Sequence, residues 1–159
     1  MTFPKASEII NANLQRTKYL LKNFERFQAQ CPEGLALQTS KAVLDILSFS
    51  IGDRDRFSQA DIDLMDRCGN MLAPAIRAAA EAMREFPVEV AEKVYPVLYH
   101  MYLSPDGSAI DTKQLMARLF AEDTQYTEQE VLEYLDTAER MMSALLFCNK
   151  YTLAVGLCD

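Results

Sequence analysis

The sequence has no tryptophan, one histidine, five glycines and six prolines. Each scarcity excludes something. Few glycines and prolines, set against many Leu, Ala, Met, Glu and Lys, disfavour turn-rich β architectures and favour helix. With His100 as the sole imidazole, a His-rich zinc centre and a Glu-x-x-His di-iron site are out of reach, because each needs more than one. Cys31, Cys68, Cys148 and Cys158 form no CxxC pair and suggest no disulfide framework. No apolar run approaches the ~18 residues that span a bilayer, and MTFPKASEII leads straight into an amphipathic pattern, with no visible signal peptide. Phosphate-binding and nucleophile-elbow motifs are missing. So is any basic cluster, and the formal net charge is −7, which removes the phosphate neutralisation that nucleic-acid binding rests on. These absences predict a cytoplasmic chain with no nucleic-acid partner and no membrane insertion.

What is present is a chain of 159 residues, half of them apolar. That is enough for one domain over 1–159 that buries roughly 70% of its unfolded surface. Ile10, Leu14, Thr17, Leu21, Phe24 and Phe27 recur at steps of three or four and predict a first helix from Pro4 to Gln30. CPEG breaks it, and a second helix covers Leu35 to Ile51. A third begins near Ser58, and Pro74 should kink or end it. The Ala-rich run Ala75–Met83 continues as helix. After Phe86-Pro87 comes another, with Pro96 as an expected kink. A short helix spans Thr112–Ala121, and a long last one runs from Glu128 to near Leu153, with Val131, Leu135, Ala138, Met142, Leu145 and Cys148 inward. No segment sustains period-two alternation. The expected fold is all-α: a compact globular bundle of six or seven helices with a long C-terminal helix.

One helix-start signal is used three times: FSQADI, IDTKQL and YTEQEV. Ser58, Asp111 or Thr127 caps the first turn, and Asp61, Gln114 or Glu130 at the third helical position reaches back to the cap's own N–H. Phe57 with Ile62, Ile110 with Leu115, and Tyr126 with Val131 should form hydrophobic staples. Each cap should contribute about 1 kcal/mol.

The first two signals follow acidic connectors, GDRDR and PDGSA, which place Asp53 and Asp106 at equal distances ahead of Phe57 and Ile110. An EF-hand needs oxygen ligands at its first positions, Gly at the sixth and Glu at the twelfth. Setting Gly107 sixth puts Lys113 twelfth. Starting at Asp53 puts Ser58 sixth and Leu64 twelfth. Both registers fail. Pro105-Asp106-Gly107 also has ordinary turn chemistry. What remains is a set of carboxylates, Asp53, Asp55, Asp61 and Asp63 in one connector and Asp106 and Asp111 in the other. Brought together, they could bind a divalent cation weakly. The candidate metal ligands are Asp53, Asp55, Asp106 and Asp111; no other cofactor is expected.

A helix, an Asp-Gly-type connector and a capped helix, carried here by Asp106, Gly107, Ile110 and Asp111 and less closely by Asp53, Asp55, Phe57, Ser58 and Asp61, resembles the TerB-like family of tellurite-resistance proteins. The resemblance covers about a third of the chain. It implies a compact all-helical domain, divalent-cation binding at the connectors and a stress-related or scaffolding role. The spacing from Asp106 to Ile110 is one residue longer than the family pattern, and Arg54 stands where Gly would sit.

The expected function is therefore a non-enzymatic protein-interaction or scaffolding domain. Acidic or Met-rich helical grooves would be offered to a protein partner, and homo-oligomerisation is open to it. The alternative is a small-molecule or cofactor-binding sensor with an apolar pocket near Tyr99, His100, Met101 and Tyr102. Enzyme activity has least support, since no activated nucleophile or acid–base pair can be assembled from the sequence.

Overall fold

The computed structural model describes residues 6–122 and 125–147. Among them are eight α-helical segments and no strand: α1 Ala6–Lys22, α2 Phe24–Ala29, α3 Leu37–Ile51, α4 Gln59–Cys68, α5 Ala73–Ala82, α6 Tyr95–Leu98, α7 Thr112–Ala121 and α8 Glu128–Leu146. The all-α fold with a long final helix is as expected. The helix count is higher because two expected helices are each divided.

The first division is at Asn23. Its side-chain amide donates to the Tyr19 carbonyl at 2.8 Å, competing with the helical ladder, as short polar side chains do. The second is at Gly69–Met71, a 3₁₀ turn between α4 and α5. A Cβ at Gly69 would lie 2.2 Å from the Phe27 ring, so the glycine lets α2 press against the turn. Pro74, the expected breaker, instead lies in the first turn of α5, where its missing N–H costs nothing. The free N–H of Ala75 in that turn is taken by the Ser40 hydroxyl of α3 at 2.9 Å.

Around α6, the turns Val90–Val94 and Tyr99–Leu103 are π-helical. Pro96 cannot donate to the Glu92 carbonyl four residues back. The Tyr126 hydroxyl sits over this gap, 2.8 Å from the Lys93 carbonyl and 3.4 Å from that of Glu92. Burial is the main cause that pushes this phenol up to about 12.

One core cluster gathers Leu20, Phe24, Phe27, Met65, Ile76, Leu98 and Met142, among others; a smaller one holds Val97, Leu115, Leu119, Tyr126 and Val131. Met101, Tyr134 and Leu135 pack against both and join them. Met65, Met83 and Met142 are fully buried; they fill the core and line no surface groove. Two inward assignments shift by one residue: Ile9 rather than Ile10, and Leu146 rather than Leu145, is buried. Cys148 and the predicted extension of α8 to Leu153 lie outside the described residues.

Candidate functional site: two connectors closed by arginine

The α3–α4 connector is organised by a residue of α1. Arg16 and Asp61 are both sealed from solvent, with Nη2 3.0 Å from Oδ2 and Nε donating to the same oxygen at 3.0 Å. Nη1 donates to Asn13 Oδ1 at 2.6 Å and to the Arg54 carbonyl at 3.2 Å. Nη2 donates to the Arg56 carbonyl at 2.8 Å. Asn13 in turn donates to the Gly52 carbonyl at the end of α3, at 3.0 Å. Burial draws the Arg16 pKa down, and Asp61 opposes that shift. The guanidinium stays charged at neutral pH, since its deprotonation is beyond reach in proteins. Asp61 also accepts from the Ser58 N–H at 3.3 Å, the return half of the expected capping box.

The second connector is a turn. The Gly107 N–H donates to the Ser104 carbonyl at 2.9 Å, and Gly107 has φ +87°, a left-handed conformation that glycine adopts without strain. The Ala109 N–H then returns to the Met101 carbonyl at 2.8 Å. Arg118 of α7 closes the loop from beneath. Its Nη1 donates to the carbonyls of His100 at 2.8 Å and Gly107 at 2.6 Å, and its Nη2 lies 3.4 Å from that of Asp106. Asp111 caps α7 by accepting from the Gln114 N–H at 2.8 Å. Gln114 returns to the N–H of Ile110, at 2.6 Å, rather than to that of Asp111. The expected staple is absent, because Ile110 is 87% exposed while Leu115 is buried. At α8 the capping box of Thr127 and Glu130 is complete, and Tyr126 and Val131 share one core cluster.

Of the expected metal ligands, Asp53 and Asp55 lie exposed on the first connector, and Asp106 and Asp111 lie exposed on the second. Among the described residues no three His, Cys, Asp or Glu side chains are grouped so that they could hold a metal ion. Asp61, a further carboxylate of that stretch, is taken by Arg16 and Arg54. Sequence reading missed both arginines. Asn13, Arg16 and Thr17 were a signal that could have been used: polar residues at helical spacing on a core-facing stripe require buried partners. Arg118 stands likewise between Leu115 and Leu119 of α7.

His100 is buried, with Nε2 2.8 Å from Glu122 Oε2 and its ring edge-on to Tyr99 at 5.1 Å. Tyr102 points elsewhere and donates from inside the core to Glu139 Oε2 at 2.8 Å. Burial, followed by the Glu139 carboxylate, pushes the Tyr102 phenol far up. Tyr99 and Tyr102 help line an open cleft of about 340 Å³ with Phe24, Glu25, Arg77 and Pro105; His100 and Met101 are not in its wall. Cys68 is half-buried, and burial raises its thiol pKa, the opposite of what an activated nucleophile requires.

Several large apolar side chains are exposed. On α3, Leu44, Leu47 and Ile51 are buried, whereas Phe49 is 87% and Ile46 67% exposed. On α7, Phe120 is 55% exposed. No described helix is long and apolar enough to cross a membrane. No family model matches the chain, and no curated protein or solved structure is significantly similar to it.

Proposed function

We propose that this chain is a non-enzymatic interaction domain of the cytoplasm that docks a protein partner on the outer face of α3. One observation carries the reading: Ile46 and Phe49 are one turn apart and both largely exposed on a helix whose other face is sealed in the core. Residues three apart on a helix are neighbours, so the two side chains form one apolar ridge. A scattered exposed Leu or Ile is ordinary; an adjacent Ile–Phe pair offers the kind of aromatic and aliphatic anchor that interface hot spots use. Asp45 stands beside the ridge and the chain carries net charge −7, which favours an apolar helix with basic flanks as the docked segment. The resemblance to TerB-like proteins supports a scaffolding, stress-related role.

The ridge is tested by Ile46→Asp combined with Phe49→Asp. Both positions are exposed, so the melting temperature should hold, and proteins co-purifying with the native chain should be lost. Retention of the same partners by the double variant would remove the reading. A second reading, a small-ligand sensor, is favoured by the aromatic cleft of Phe24, Tyr99 and Tyr102, whose volume of about 340 Å³ lies at the lower end for small-molecule sites. Native mass spectrometry of protein purified from its own cell checks it; an adduct lost on Tyr99→Ala would support it, and a bare chain mass would count against it.

A further inference from the structure

Both connectors turn backbone carbonyls toward a common point, and at each point stands a guanidinium. Converging carbonyl dipoles repel one another unless something positive lies between them. In a calcium loop that is the ion, which takes six to eight oxygens. Here Arg16 meets the carbonyls of Arg54 and Arg56 together with the oxygens of Asn13 and Asp61. Arg118 meets the carbonyls of His100, Gly107 and Asp106. A guanidinium offers five donors in a fixed fork and cannot lose its charge, so it can satisfy several carbonyls at once. A divalent ion bound to the same oxygens would have to displace it or accept a like charge at close range.

We propose that Arg16 and Arg118 are built-in counter-cations that hold the two acidic connectors in loop form in place of a divalent metal. The two are not equivalent. Arg16 is locked in the core with Asp61. Arg118 is only half-buried and forms no ion pair among the described residues, so its cradle can be emptied by substitution while Arg16 and Asp61 stay in place. The vacated cradle should take a small planar cation that presents the same N–H groups.

The test is thermal unfolding of the whole chain and of Arg118→Ala, each alone, with millimolar calcium or magnesium, and with millimolar guanidinium chloride. The native chain should show no saturable rise with any of them. Arg118→Ala should melt several degrees lower, and guanidinium should restore part of that loss saturably. Arg118→Lys keeps the charge without the fork; it should fold, melt below the native chain, and serve as the deciding variant if Arg118→Ala does not fold. Three results would overturn the proposal: a saturable rise of the native melting temperature with calcium or magnesium, an Arg118→Ala chain that folds without gaining from guanidinium, or an Arg118→Lys chain as stable as the native one.

Discussion

Arg16 and Asp61 form an ion pair from which water is wholly excluded. Such a pair adds little net stability over a well-packed apolar pair, yet losing one member strands the other. Arg16→Met should therefore cost about 3–5 kcal/mol, read as a drop in the denaturant midpoint. Pairing it with Asp61→Leu should recover only the share due to the stranded carboxylate, because Asn13 Oδ1 and the carbonyls of Arg54 and Arg56 still lack their donor; a double variant no better than the single one would contradict the ion-pair assignment. Titration adds a second check. The Tyr95 hydroxyl, and after it Arg84, hold the Glu81 carboxyl below its usual range, as the Tyr19 hydroxyl and then Arg26 do for Asp66. A carboxyl lowered in the fold stabilises above its unfolded pKa of about 4, and that share is lost as pH falls through the lower folded value. Tyr95 and Tyr102 are raised, chiefly by burial, so their share is present below about 10 and lost as pH climbs through the folded value. Phenolate absorbance should thus show a fraction of tyrosines that ionise only as helical circular dichroism disappears. Ionisation of every tyrosine in the ordinary range, with helicity intact, would contradict these burials.

At the scale of elements, local chemistry was legible and tertiary chemistry was not. The starts of α7 at Thr112 and α8 at Glu128 follow from their caps, because a cap is satisfied within its own first turn. The ends of α3 and α7 follow from periodicity and breakers. The division at Gly69 was not legible, since its cause is the Phe27 ring from another helix. Gly69→Ala accordingly drives a methyl into that ring and should cost about 1–3 kcal/mol, measurable by chemical denaturation; an unchanged midpoint would mean that α2 is not seated on this turn. Pro96 reads as a kink in the sequence; in the fold it leaves the Glu92 carbonyl without its usual helical donor, beside a π-helical turn, and a tyrosine some thirty residues on brings its hydroxyl there. The exposure of Ile110 shows the same limit: the apolar spacing fits a staple, but the chain geometry sets Ile110 outside while Leu115 goes in.

For the whole molecule, composition and period were enough for the all-α fold, whereas Asp53, Asp55, Asp106 and Asp111 lie exposed on two connectors and belong to no metal-capable cluster among the described residues. What closes those connectors depends on Arg16, thirty-eight residues before Arg54, and on Arg118; helical spacing marks both as polar residues beside the core but does not name the carbonyls they meet. Surface function was the least legible part, because an exposed Phe49 and a buried Leu47 look alike in a hydrophobic count until the core is assembled. The α3 ridge as a docking face is put to the proof by a photo-crosslinking amino acid placed at Phe49 in the native cell. A discrete protein adduct should form from position 49 and none from Glu133, an exposed position on α8. No adduct at position 49, or the same adducts from both positions, would contradict it.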